Sequence, residues 1–386
     1  MTGAANVLIW AGAILVTMPV LMLAPECLAG SWARRARRFS VQPPPFTVLM
    51  PAHDEASGIA EPIRAVRAQL RARDELIVIA DNCSDDTAAI ARRLGAHVVE
   101  RHDLERRGKG YALEAGRPHV TDSPGRIVIV VDADCIATPH ALQRLASTSS
   151  RRRAVVQGAY LLAPPIDAPP VVRISAFAFL IKNLVRQLGL RRMAGAALLQ
   201  GSGMAFPQTI FRRLDWCAHS LVEDLDLGVR LLASGHAVTF DDGALFLSGT
   251  ASREATAGQR RRWEHGMMQS MGRNVPMLLR AAVARPRLLV MAIDQMVLPA
   301  TVLIAIASAA LLLLLGTGLW GPGLLLLSAL TLLALSLLAV WSRFGHRLAP
   351  RATLGEVVRY VFWKLPLAVQ FLTRRERQWL RTGREP

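Results

Sequence analysis

Hydrophobic and polar positions divide the chain into two kinds of territory. Residues 7–24, 297–315 and 319–341 are near-continuous apolar runs, each of a length that crosses a bilayer as a helix. Between the first two, short apolar runs alternate with stretches whose apolar residues recur at helical spacing. Residues 46–50, 76–80 and 96–99 predict strands, and 59–70 and 86–94 predict helices. Arg107-Gly108-Lys109-Gly110-Tyr111-Ala112-Leu113 opens another helix. At the centre lies 126–135, RIVIVVDADC. Its β-branched run, Ile127 to Val131, predicts a strand buried on both faces of a sheet. Alternating strand and helix predicts a parallel, doubly wound α/β sheet.

Polar clusters fall where these strands end. Pro51-Ala52-His53-Asp54-Glu55 follows the first, Asp81-Asn82-Cys83-Ser84-Asp85-Asp86-Thr87 the second, and Asp132-Ala133-Asp134 the central one. Open α/β sheets bind ligands at the carboxyl ends of their strands. Strand residues two apart point the same way, so Asp132 and Asp134 are expected to emerge together. Such carboxylates repel unless a cation lies between them. Hard divalent ions take oxygen ligands and share them with phosphates. D-A-D alone leaves open two solvated loop aspartates. Downstream, 171–192 is an amphipathic helix or helix pair carrying Lys182, Arg186, Arg191 and Arg192. It reads equally as a packed helix with a solvated basic face or as a helix lying on an anionic membrane. Gln200-Gly201-Ser202-Gly203-Met204 is a small-residue turn that lets another molecule approach the backbone. Glu223 and Asp224 open a helix running to 233, where acids also complement the helix dipole. Gln259-Arg260-Arg261-Arg262-Trp263 begins a further helix, either a lipid-facing or solvated patch or a clamp for phosphate oxygens.

Composition sharpens this. The 386 residues are 52% hydrophobic and 19% charged, too apolar for an ordinary soluble enzyme and too charged for a membrane bundle alone. A net charge of +17 favours anionic partners: nucleic acid, membrane or phosphorylated ligands. No basic patch is interleaved with aromatics and the arginines gather near the apolar runs, so no nucleic-acid partner is expected. Cys27, Cys83, Cys135 and Cys217 show no ligand or disulfide spacing. No positive charge precedes 7–24, so it reads as an anchor rather than a signal peptide. Arg34, Arg35, Arg37 and Arg38 follow it, and Arg343, Arg347 and Arg351 follow the last run. The positive-inside rule puts the N-terminus outside and the rest of the soluble chain, with the C-terminus, in the cytoplasm. Pro43-Pro44-Pro45 is a stiff spacer. Lys364 and Pro366 interrupt 355–372, which therefore reads as interfacial. The expected organisation is an anchor at 1–30, a basic, proline-containing linker at 31–45, and an α/β domain at 46–255. The QRRRW motif and interfacial helices follow at 256–295, two transmembrane helices at 296–342, and a basic segment at 343–386.

In their order, PAHDE, DNCSDD, the GKGYAL segment, D-A-D, and Glu223-Asp224 with QRRRW resemble membrane-bound family 2 glycosyltransferases, the branch of cellulose, hyaluronan and chitin synthases. QxxRW at this distance after Glu-Asp, just before membrane spans, is the most specific part, and the resemblance covers about 46–263. It implies a GT-A (Rossmann-like) α/β domain in the cytoplasm with flanking transmembrane helices, at the cell inner (plasma) membrane. It implies inverting transfer of a sugar from a nucleotide-diphosphate donor, expected to be a UDP-sugar, to a lipid-linked or glycan acceptor in cell-surface polysaccharide (exopolysaccharide) or glycolipid synthesis. Asp224 matches the catalytic base, with Glu223 beside it more suited to orienting neighbours. Asp54, Glu55, Asp81 and Lys109 match nucleotide-binding positions, and Asp132 and Asp134 match the pair that binds nucleotide and metal, Mg²⁺ or Mn²⁺. Gln259, Arg262 and Trp263 match the donor and acceptor motif. Gln200, Gly201, Ser202, Gly203, Lys182 and Arg186 are expected on the acceptor side. Two departures stand out: Cys135 replaces the histidine that follows D-A-D in cellulose synthases, and the 200–203 turn differs from theirs. Three spans are few for a polysaccharide channel. Membrane lipids are expected partners, with a homo-oligomer or an export partner left open. The alternatives are a processive synthase working with a channel partner, and a catalytically inactive membrane scaffold subunit.

Overall fold

The computed structural model describes residues 3–32, 42–165, 167–216, 220–250, 253–346, 348 and 355–362. They form two compact units. One contains 42–165 and 196–250 and is built on a sheet. The other, all helical, joins 3–32, 167–195 and the described residues from 259 to 362.

The sheet has eight strands: β1 (Phe46–Ala52), β2 (Glu75–Asp81), β3 (His97–Arg101), β4 (Ile127–Val130), β5 (Cys135–Ala137), β6 (Val155–Ala163), β7 (Met204–Pro207) and β8 (Val238–Gly249). Their order is β3-β2-β1-β4-β7-β6-β8-β5. β3, β2, β1 and β4 are parallel neighbours, as the alternation of strands and helices requires. All four residues of β4 are buried, as expected of a strand covered on both faces. Helices Ala60–Arg67, Thr87–Arg93 and Lys109–Gly116 supply the crossovers and bury apolar faces, Ile63 and Val66, Ala88 and Ala91, Ala112 and Leu113.

The sheet is mixed rather than wholly parallel. β7 runs antiparallel to β4 and to β6, and β5 antiparallel to β8. The cause is local. Gly201 and Gly203 take φ values of 95° and 69°, a region open to glycine. They reverse the chain beside the carboxyl end of β4, and Gly203 N–H donates to the Val130 carbonyl at 2.9 Å. β7 can then only run back along β4.

Among the described residues, two helices are long and apolar enough to cross a membrane: Ala4–Ser31 (28 residues) and Trp320–Gly345 (26 residues). The third apolar run forms Ala300–Gly316, only 17 residues, so the expected three spans reduce to two of full length. Pro299 disfavours helical backbone at the residue before it, and the positive φ of Gly318, 73°, closes the other end. The amphipathic stretch is helix Pro170–Leu180, a π-helical turn Ile181–Val185, and helix Arg186–Met193. The QRRRW motif lies within the helix Arg253–Ala282. Of the segment expected to be interfacial, 355–362 is helical. The linker at 33–41, Cys217, and residues 363–386, which hold the rest of that segment and the basic tail, lie outside the described residues.

Candidate active site

Two clusters at the carboxyl ends of the parallel strands carry the polar residues. The first joins the ends of β1 and β2. Asp54 sits in the left-handed region at φ 51°, and its carboxylate accepts the Ser84 N–H at 2.6 Å. The Glu55 N–H donates to Thr87 Oγ1 at 2.8 Å, and His53 Nδ1–H donates to the Asp81 carbonyl at 2.7 Å. Asp81 is buried and accepts from Arg101 Nη1 at 2.6 Å. Arg101 also holds Asp103 at 2.9 Å and lies over the Tyr111 ring. Asp54 and Glu55 are thus tied to the 84–87 loop through backbone N–H groups, and the neighbouring His53 ring ties the same corner to Asp81.

The second cluster surrounds the end of β4. Strand pairing stops at Val130, and 132–135 form a tight turn in which the Cys135 N–H donates to the Asp132 carbonyl at 3.0 Å. Asp132 and Asp134 do come together, but through this turn rather than through strand alternation. With Cys135 they place one oxygen or sulfur atom each within 4.8 Å of the others. Lys109 Nζ donates to Asp132 Oδ1 at 2.5 Å and to the Gly201 carbonyl at 2.7 Å. The Asp132 N–H donates to Ser202 Oγ at 3.1 Å. The turn 200–203 thus closes onto Lys109 and Asp132. A Cβ at Gly201 would lie 2.8 Å from Asp224 Oδ2 and 3.7 Å from Asp132 Oδ2, so this glycine gives Asp224 room beside the turn. Glu223, at the start of helix Glu223–Ala233, accepts the Gly110 N–H.

Electrostatics follow from this crowding. Burial, then the charge of Asp224, pushes the Glu223 carboxyl up to about 8, against the pull of Lys109. Burial also raises the Asp132 carboxyl, helped by Asp134 and Asp224 and opposed by Lys109. Burial alone would lower the Lys109 ammonium, but Asp132, Asp224 and Glu223 outweigh it and hold it above its ordinary value. The site is short of positive charge. Asp132 and Asp134 supply hard oxygen donors for a divalent cation, which would offset the burial and the neighbouring charge that raise Asp132. The donor set fits such an ion.

Residues outside the expected set complete the site. Gln157 on β6 donates to the Ser202 carbonyl at 2.7 Å and accepts the Gln200 N–H at 2.9 Å, fixing the turn from beneath. Its signal was present: a glutamine within the apolar run Val155-Val156-Gln157-Gly158-Ala159-Tyr160, where a buried polar group must find partners. Ser248, near the end of β8, donates to Asp134 Oδ2 at 2.8 Å. Tyr160 is buried among Cys135, Asp134 and Asp132, and burial with those neighbours raises its phenol well above the ordinary value. No local sequence signal marks Ser248 or Arg101, because each reaches the site through sheet pairing.

Other expected site residues belong to the helical unit. Arg262 and Trp263 are half-buried, and the Trp263 ring meets Phe179 at 5.6 Å. The side chain of Gln259 lies outside the described residues. Lys182 is exposed, whereas Arg186 is not on a basic face. Its guanidinium is held between the buried carboxylates of Glu26 and Asp294.

A mixed Rossmann-like sheet with paired aspartates at the end of its central strand and a Glu-Asp helix start defines the GT-A class of glycosyltransferase folds. The chain belongs to the glycosyltransferase family 2: residues 43–266 match the model of "Glycosyltransferase like family 2". It is 26% identical over 218 residues to 4,4'-diaponeurosporenoate glycosyltransferase of Staphylococcus haemolyticus, a match covering 53% of this chain and 56% of that protein. It is 25% identical over 237 residues to the probable glycosyltransferase YdaM of Bacillus subtilis, covering 58% of this chain and 55% of that one. A shorter match, 31% over 117 residues, is to the undecaprenyl-phosphate 4-deoxy-4-formamido-L-arabinose transferase of Sodalis glossinidius, covering 28% and 35%. The chain spans about half the length, or less, of these curated relatives. Among solved structures, the mannosyltransferase PcManGT from Pyrobaculum calidifontis, in complex with GDP-Man and Mn²⁺, superposes with a TM-score of 0.59. The match covers 95% of this chain and 100% of that one at 19% identity, a likeness of fold.

Proposed function

We propose that the chain transfers a sugar, with inversion, from a nucleotide-diphosphate donor to a lipid-linked acceptor at the cytoplasmic face of a membrane. The observation that carries this reading is the convergence of Asp132, Lys109 and Asp224 on the Gly201 turn. In this reading the nucleotide lies along the corner made by Asp54, Glu55 and Asp81, and its diphosphate reaches Lys109. Asp224 takes the proton of the acceptor hydroxyl as that oxygen attacks the anomeric carbon from the face opposite the leaving group. Glu223 accepts the Gly110 N–H and serves to position that backbone. Lys109 offsets charge that grows on the departing diphosphate. A divalent cation, Mg²⁺ or Mn²⁺, would be held by Asp134 and Asp132 and would neutralise the leaving group.

Several observations support the lipid acceptor. Two helices of spanning length flank the matched family region. Two relatives are named for a diaponeurosporenoate and an undecaprenyl phosphate. Lys182 and Arg192 are exposed on the segment that precedes the 200–203 turn, and each charge near an anionic surface contributes about 1 kcal/mol. A UDP-sugar is the preferred donor class, with Asp81 at the base. Membership of the cellulose, hyaluronan and chitin synthase branch is part of the same proposal, as are Gln259, Arg262 and Trp263 as donor and acceptor contacts. The test is a mass-spectrometric screen of UDP- and GDP-sugars with the purified full chain and a native lipid extract. A new glycolipid that requires Asp224 supports the reading. Nucleotide-sugar binding with only soluble products, or no binding, overturns it.

A further inference from the structure

The helical unit buries a charge cluster that the proposed chemistry does not use. Glu26 lies on the N-terminal helix, Arg186 at the start of Arg186–Met193, and Asp294 at the end of Leu288–Asp294. Arg186 Nε donates to Glu26 Oε2 at 2.8 Å, and Arg186 Nη2 donates to Asp294 Oδ1. Gln295 Nε2 donates to Asp294 Oδ2 at 3.0 Å, and Asn274 Nδ2, on helix Arg253–Ala282, donates to Gln295 Oε1 at 3.4 Å. Glu26 and Asp294 are 0% and 2% exposed. Glycines let these elements approach closely: a Cβ at Gly189 would strike the Glu26 backbone, and one at Gly30 the Val185 backbone.

We infer that Glu26, Arg186 and Asp294 form a buried charge lock that fastens the 181–193 segment to the N-terminal helix. The inference does not depend on the transferase reading. It has an asymmetric consequence, because the cluster holds two carboxylates and one guanidinium. Removing the cation strands two buried carboxylates, the costly way to break a buried pair. Removing one carboxylate leaves a matched pair. Replacing all three by neutral side chains strands nothing.

Cys27 is a native reporter, 0% exposed and next to Glu26, with Arg186 within electrostatic reach. The test is maleimide labelling of Cys27 in the detergent-solubilised full chain, read by peptide mass spectrometry. Arg186→Met should raise its labelling by at least about tenfold through local opening. Glu26→Gln, and the triple variant Glu26→Gln, Arg186→Met, Asp294→Asn, should stay within a few-fold of wild type. Where Arg186→Met fails to accumulate, recovery of accumulation by the triple variant carries the same conclusion. The inference is overturned if Cys27 stays protected in Arg186→Met, if Glu26→Gln exposes it equally, or if the triple variant recovers neither protection nor accumulation.

Discussion

Lys109 and Asp132 meet at 2.5 Å, and the same ammonium reaches the Gly201 carbonyl at 2.7 Å. One cation therefore ties the helix after β3 to the end of the central strand and to the turn that reverses the sheet. Lys109→Met keeps the stem and removes the charge, leaving Asp132, Asp224 and Glu223 facing one another. Hydrogen bonds to charged groups contribute about 1.5–3 kcal/mol, so affinity for a nucleoside diphosphate should fall about 10–100-fold. Calorimetric titration with UDP and Mn²⁺ measures it, and unchanged affinity would separate Lys109 from the diphosphate.

Gly201→Ala tests the room beside the turn. Its φ of 95° strains any side chain, and the new Cβ would lie 2.8 Å from Asp224 Oδ2. The backbone cost is about 1–2 kcal/mol. A misplacement of a reacting group by about 1 Å costs about 100-fold in rate. Transfer should therefore fall far more than the melting temperature implies, and a rate that merely follows stability would argue against the placement of Asp224.

Glu223 makes the protein without metal or donor sensitive to alkali. Its carboxyl, ordinarily near 4.5, stands at about 8 when folded. Between those values the folded chain keeps a proton that the unfolded chain has released, so stability falls as pH rises through the window. Glu223→Gln cannot lose a proton and should flatten that slope. Thermal melts of the two proteins between about pH 5 and about pH 8 make the comparison. Parallel curves would place the proton elsewhere.

Ser248 donates to Asp134 Oδ2 at 2.8 Å and so aims the carboxylate expected to bind metal. Groups that orient ligands typically alter metal affinity about 10–100-fold when removed. Ser248→Ala should raise the Mn²⁺ concentration needed for activity by that factor while leaving the saturated rate near wild type. Asp134→Ala should abolish turnover in a folded protein. Full activity in EDTA would remove the metal from the account.

Much of this was legible in the chain. The β-branched run at 127–131 and the polar clusters after each strand located the parallel half of the sheet and most acids of the site, because strand identity and strand ends are written locally. The antiparallel half was not legible. The reversal of β7 depends on two glycines at 201 and 203 taking positive φ, and a small-residue turn does not announce which strand it will lie beside. Gln157 was readable as a polar residue inside a buried run, whereas Ser248 and Arg101 reach the site only through pairing distant in sequence. Helical spacing groups Arg186 with Lys182 and Arg192, and only the fold supplies its partners Glu26 and Asp294.

The central claim is that Asp224 is the base. It stands in the first turn of its helix, where an acid also complements the dipole, a contribution of about 0.3–1 kcal/mol. Asp224→Asn removes proton acceptance, together with the charge that helps raise Glu223 and Lys109, while general-base catalysis contributes about 10²–10⁴-fold. The decisive measurement is the transfer rate of Asp224→Asn at saturating donor, with donor affinity and melting temperature taken on the same sample. The account predicts near-normal binding and melting with a rate reduced by at least about 100-fold. A rate within a few-fold of wild type would contradict it.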